Sequence, residues 1–150
     1  MSGIPTAELT GVWLNLATGH TDTRCAGLSW TPIDGVWCGI DPKAASTQER
    51  VCVYLCENNW MQRMALQKKY PFASWYNPSG DYAQGMPIVE YMMRQGMRVE
   101  CASETTFTAH WPGKDVRATG GSLMVAALRL RAMSSFGSAF DTTSISAKPA

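Results

Sequence analysis

Several features are missing from this chain, and each absence narrows its role. Strong charge of one sign is absent: 13 basic and 12 acidic residues leave a formal net charge of +1. That balance argues against a dedicated binder of extended nucleic acid, whose basic face usually shifts the total. It leaves room for a small cluster that holds one phosphorylated ligand. No apolar run is long enough to span a bilayer, and Met1 to Gly11 has no basic stretch followed by an apolar one. We therefore expect no membrane partner and a cytosolic protein. Histidine is scarce, with only His20 and His110, and neither has a carboxylate–nucleophile arrangement nearby in the chain. There is no Walker loop and no GxGxxG; "ATGG" at Ala118–Gly121 is too short for a phosphate-binding motif.

The five cysteines, Cys25, Cys38, Cys52, Cys56 and Cys101, are an odd count that fits reduced thiols rather than a disulfide framework. Four of them reach the number for a thiolate zinc site, but their spacings match no common knuckle. We read them as small buried apolar side chains and expect neither a metal nor a cofactor.

What is present describes one domain. A chain of 150 residues with 45% apolar content can bury a single core without staples. Six tryptophans and nine methionines suit irregular cores and also binding surfaces.

The apolar stripe Leu9, Val12, Trp13, Leu16 and Ala17 predicts a first helix, with Thr6 as cap and Gly19 as stop. From His20 to Lys43, glycines and prolines alternate with Trp30, Ile33, Val36, Trp37 and Ile40, which reads as turns and short strands, with Asp34-Gly35 as a tight-turn pair. Ser46-Thr47-Gln48-Glu49 resembles a capping box, so a helix is expected from there toward Lys69. The β-prone run Val51–Leu55 makes a strand the alternative. Pro71 ends that run. An aromatic, turn-rich loop follows, then a helix with Pro87 in its first turn and Gly96 as its stop. Met97–Cys101 and Thr105–Trp111 predict a hairpin, and "PGKD" and "ATGG" a loop. Ser122 caps a last helix that ends at Gly137 and is apolar nearly all round, the expected central buried helix. The class is therefore α+β: three to four helices on a short antiparallel hairpin or sheet, in a single domain over 1–140, with a mobile tail at 141–150.

Two places suggest chemistry. Trp75, Tyr76 and Tyr82 crowd the loop before a helix N-terminus, where flat rings can stack a planar ligand and free N–H groups can receive an anion. They can equally pin the loop to the core. Arg129 lies among apolar neighbours on the last helix and shares a face with Ser122. A guanidinium there needs an anion or a carboxylate. Asp81 or Glu90 would be the internal answer and a ligand phosphate the external one. The candidate ligand-binding set is therefore Trp75, Tyr76, Asp81, Tyr82, Gly120, Gly121, Ser122 and Arg129.

Tyr76–Glu90 ("YNPSGDYAQGMPIVE") and Gly121–Gly137 ("GSLMVAALRLRAMSSFG") together resemble the NinX-like family of small phage proteins, a domain of unknown function. Asp81, Tyr82, Gly85, Pro87 and Ile88 match its Asp-aromatic-x-x-Gly-x-Pro-Ile core. Ala126, Ala127, Arg129, Ser134 and Gly137 match its closing helix, and "AELTG" at Ala7–Gly11 its opening. The chain departs from the pattern in three ways. Tyr82 replaces a usual tryptophan, the proline at the start of the last helix is missing near Leu123, and His20–Tyr70 is much longer, an apparent insertion over 20–70. The resemblance implies a phage accessory protein in a bacterial host cytoplasm, with no established activity.

Small phage proteins of this kind include unrelated sponges for nucleotide immune signals, an analogy of setting only. The leading expectation is thus a non-enzymatic protein that sequesters a small nucleotide-derived ligand, with a homo-oligomer as a further partner. The alternatives are a protein–protein module acting on a host factor through an exposed patch at Trp30–Ile40, and a nucleotide hydrolase using Asp81, Glu90 and His110.

Overall fold

A computed structural model describes residues 3–44, 50–57 and 59–141. They form an α+β fold of four helices and three small sheets. The segment 46–49 and all of the tail beyond 141 lie outside the described residues.

The chain closes on itself first. Strand β1 (Ile4–Pro5) pairs antiparallel with β9 (Ala139–Phe140). Thr6, expected as a helix cap, is buried instead: its hydroxyl donates to the Gly137 carbonyl at 2.6 Å and its N–H to Ser138 O at 3.0 Å. A short 3-10 turn at Thr6–Glu8 follows, and extended backbone at Thr10 separates it from helix α1 (Gly11–Gly19). The first helix thus starts later than the apolar spacing suggested. Leu9 is fully buried but outside it.

After a second 3-10 turn at Thr23–Cys25, β2 (Ser29–Ile33) and β3 (Val36–Ile40) form the expected hairpin. Its turn places Asp34 at φ 51° and Gly35 at φ 79°, the left-handed pair that a two-residue hairpin turn demands. Strand β4 (Val51–Tyr54) adds antiparallel to β3 and β5 (Ser74–Trp75) adds parallel to β4. Helix α2 (Trp60–Lys69) makes the crossover between those parallel strands. The continuous helix expected toward Lys69 is therefore corrected: Val51–Tyr54 is the strand, and α2 starts from its own cap, Asn59, whose side chain accepts from the Gln62 N–H at 3.1 Å.

Helix α3 (Tyr82–Arg94) is capped by Asp81 and carries Pro87 in its interior, not its first turn. Strands β6 (Arg98–Cys101), β7 (Phe107–His110) and β8 (Arg117–Gly120) form an antiparallel meander. The third of these lies where a loop was expected. Helix α4 (Leu123–Phe136), capped by Ser122, rests on β7 and β8 and touches α1 and α3. It buries Met124, Ala126, Ala127, Leu128, Leu130 and Ala132, as its composition required.

Two apolar clusters result. The larger surrounds α4 and includes Leu14, Leu16, Val89, Met92 and Phe140; Cys25, Trp30 and Leu55 from 20–70 also belong to it. The smaller, built around Tyr54, Leu66 and Tyr70, joins α2 to the β2–β5 sheet. The long segment is therefore woven into the main core as well as into its own.

Candidate functional site

The loop between α1 and β2 runs beside α3 and α4 and leaves a cleft of about 490 Å³, a size that accommodates a small-molecule ligand. Thr21, Asp22, Thr23 and Arg24 supply one wall, Pro87, Ile88 and Tyr91 of α3 the second, and Arg131 of α4 the third.

Asp22 organises the loop. Its side chain caps the 3-10 turn by accepting from the Arg24 N–H at 3.0 Å, and it binds the same residue's guanidinium through Nε and Nη2, the latter at 2.8 Å. The buried hydroxyl of Tyr76 donates at 2.6 Å to Asp22 Oδ2, the oxygen that Arg24 Nη2 also binds. Burial disfavours the charged carboxylate. The hydrogen bonds from Arg24 and Tyr76 outweigh it, so the Asp22 carboxyl lies below its ordinary range. Burial, and then the bond to Asp22, push the Tyr76 phenol upward. Burial likewise pushes the neighbouring Cys25 thiol up to about 11, with the Asp22 charge adding to it. The Asp22–Arg24 pair is neutral as a whole, and Arg24 reaches on to the Gln84 carbonyl at 2.7 Å, fastening the loop to the first turn of α3.

Arg131 is differently placed. Its Nε donates to Thr21 Oγ1 at 2.9 Å and its Nη2 to Thr21 O at 2.7 Å, both neutral acceptors. Among the described residues it makes no ion pair. Two guanidiniums thus face the cleft against one carboxylate, beside the half-exposed ring of Tyr91.

None of the residues nominated from sequence lines this cleft. The three rings do not gather on one platform. Trp75 packs toward the smaller cluster beneath the Arg63 guanidinium, 3.8 Å from the ring centroid, and donates to Cys56 O. Tyr76 turns into the larger cluster, and Tyr82 is exposed. Asp81 accepts from the Ala83 N–H and from Gln84 Nε2. Gln84 also clamps the loop by donating to Trp75 O and accepting from the Asn77 N–H.

At the second nominated place, Ser122 accepts from the Val125 N–H at 3.1 Å. Gly120 lies so close to α4 that a Cβ would stand 2.6 Å from the Ala126 nitrogen, while a Cβ at Gly121 would meet only Thr105 O, at an ordinary contact distance of 4.0 Å. Arg129 meets neither Asp81 nor Glu90: its Nε donates to Leu9 O at 2.8 Å and its Nη1 to Thr119 O at 2.9 Å. Backbone carbonyls left by the break at Leu9–Thr10 and by the edge strand β8 are its partners, an answer invisible before the fold is known.

The hydrolase candidates serve separate local arrangements. Asp81 caps α3, Glu90 is exposed on it, and His110 in β7 lies 3.8 Å from Glu100. Among the described residues, no group of three or more histidines, cysteines or acidic residues could hold a metal, and no helix is long and apolar enough to cross a membrane. In the Trp30–Ile40 stretch Trp30, Cys38 and Ile40 are buried, and Ile33, Val36 and Trp37 are partly buried. No family model matches the chain, and no curated protein matches it.

The cleft residues had weak signals in the sequence. Arg131 stands in the same apolar run as Arg129 and needed a partner for the same reason. "DTR" at Asp22–Arg24 has the spacing of an aspartate that caps a turn and pairs with an arginine two residues on.

Proposed function

We propose that this protein captures a small, anionic, ring-bearing ligand in the cleft between the Thr21–Arg24 loop, α3 and α4, and that it does so by binding rather than by turnover. The observation that carries this is Arg131, a guanidinium on an open cleft that donates to Thr21 Oγ1 and Thr21 O, both neutral. Arg24 beside it is answered by Asp22, so the cleft keeps one positive charge in surplus. A guanidinium offers paired donors to a phosphate or carboxylate, and Tyr91 with Ile88 and Pro87 gives an apolar wall for a ring. A nucleotide derivative combines both halves. In the phage setting implied by the NinX-like resemblance, that ligand would be a host immune signal and the protein its sponge.

Titration calorimetry against cyclic dinucleotides and cyclic and linear ADP-ribose derivatives tests this. We expect heat with at least one, and a loss of affinity of about tenfold or more in Arg131→Ala and Tyr91→Ala. Folded protein that gives no heat with any of them overturns the reading.

A second reading, a module that binds a host protein, is favoured by a different observation. Trp60, Met61 and Met64 on α2 and Phe72 beyond it are all exposed, so the apolar surface sits there and not at Trp30–Ile40. Met61→Glu/Met64→Glu would abolish such an interaction and leave the calorimetry unchanged.

A further inference from the structure

The meander β6–β7–β8 ends on β6, and among the described residues nothing pairs with its outer edge. Its register with β7 fixes which backbone groups that edge presents. Arg98 stands opposite His110 and Glu100 opposite Thr108, and the Ala102 N–H donates to Thr106 O at 2.8 Å. In an antiparallel ladder every second residue turns its N–H and C=O toward the same neighbour. Ala102, Glu100 and Arg98 therefore bond inward, and Val99 and Cys101 turn their N–H and C=O outward. An open groove of about 420 Å³ runs beside this edge, lined by Met93, Gly96, Met97, Arg98, Val99 and Glu100.

The geometry points to a homodimer in which the β6 strands of two copies pair antiparallel about a twofold axis at Val99, joining two three-stranded sheets into one of six strands. The sequence Met97-Arg98-Val99-Glu100-Cys101 is self-complementary in that register. Val99 meets Val99 of the second copy and exchanges both backbone hydrogen bonds with it. The Cys101 N–H reaches the second copy's Met97 carbonyl, which suits the strand because Met97's own N–H is already given to Met92 O. Arg98 stands opposite the second copy's Glu100, and the symmetry repeats that pair.

Charge selects this register over its neighbours. A shift of two residues one way sets Glu100 against Glu100, and the other way Arg98 against Arg98, and like charges directly opposite each other repel. A shift of one residue is excluded by faces, because Val99 packs on the main core while Arg98 and Glu100 are exposed. The same pairing covers an unpartnered edge, a feature that proteins commonly protect, and brings the half-exposed Met93 against the strand of the second copy.

Sedimentation equilibrium on the full chain, without ligand, tests the dimer independently of the cleft. The wild type should associate reversibly. Arg98→Glu and Glu100→Arg should each weaken association by about tenfold or more, since both symmetry-related pairs turn repulsive, and the double variant should recover it. Both side chains are exposed, and circular dichroism checks that each variant folds. Amide exchange at Val99 and Cys101 should slow as protein concentration rises. A monomer at the highest soluble concentration, or single variants that dimerise like the wild type, or a double variant that fails to recover, overturns the proposal. So does a monomer that pairs this edge only with an extended peptide of another protein.

Discussion

Asp22 shows how much one buried carboxylate can organise. It is joined to Arg24 by backbone and guanidinium bonds and to Tyr76 across 54 positions of sequence. Its folded pKa is lowered, so its contribution to stability is complete above the ordinary value of 3.8 and is lost as pH falls through the lowered folded value. We expect urea midpoints of the wild type to decline in that acid range, and Asp22→Asn to flatten this part of the profile while lowering the neutral-pH midpoint. Tyr76→Phe removes one donor to a buried charge and should cost about 1.5–3 kcal/mol at neutral pH, read from the same melts. The thiols give a second residue-scale outcome. Cys101 is exposed, whereas Cys25 and Cys38 are buried with thiols pushed up to about 11. A disulfide reagent at neutral pH should therefore modify Cys101 first, and Cys101→Ser should remove the fastest phase. At this scale the sequence was only half legible. Arg129 announced itself as a charge needing a partner, but its acceptors, Leu9 O and Thr119 O, exist only once a helix break and a strand edge have formed. Asn15, inside an apolar helix, carries no local signal of its role. It is buried, donates to Asn77 Oδ1 and accepts from the Ser79 N–H, both at 2.9 Å, so it locks α1 to the aromatic loop.

Elements were easier to read where local chemistry and tertiary context agreed. Asp34-Gly35, Ser122 and Gly137 each sit where a turn, a cap and a stop were expected, because each works through its own backbone neighbours. Disagreement arose where pairing partners decide. Val51–Tyr54 is β-branched and aromatic enough for a strand, and β3 and β5 flank it on both sides, which outweighed an unbroken run without glycine or proline. Arg117–Gly120 looked like a loop because Gly120 and the Gly121 that follows it hide the strand. Gly120 is needed there for close contact with α4. Pro87 suggested a helix start, but Asp81 caps α3 six residues earlier and the proline is carried on its exposed side. Some residues of the Asp81–Ile88 stretch build joints between elements. Gly85 is the clearest: a Cβ there would land on the Pro78 carbonyl and the Met124 sulfur. Gly85→Ala should cost about 1–3 kcal/mol by forcing α3 away from α4, seen as a lowered thermal midpoint, while Gly121→Ala, whose Cβ would make only an ordinary contact with Thr105 O, should cost much less.

For the whole molecule, the two apolar clusters imply two levels of stability. Helix α4 buries six side chains among β7, β8, α1 and α3. Helix α2 buries only Leu66 and keeps Trp60, Met61 and Met64 in solvent. Tyr54 ties it down by donating to Gln67 Oε1 at 2.7 Å, and Gln67 in turn donates to Ala73 O at 2.8 Å. An element with one buried anchor can open without the rest, because little apolar contact is lost in doing so. Native-state hydrogen exchange should therefore show Trp60–Lys69 opening at lower denaturant than Leu123–Phe136. Leu66→Ala sharpens the comparison. The change deletes most of the side chain from the smaller cluster, at a cost of about 2–5 kcal/mol. If α2 opens as its own unit, that loss should appear in the exchange of α2 and its strand neighbours at Tyr54 and Trp75, with the most protected amides of α4 unchanged beyond the shift in global stability. Equal loss of protection in both helices would mean that Cys25, Trp30 and Leu55, which carry the long segment into the main cluster, bind the two levels into one cooperative fold.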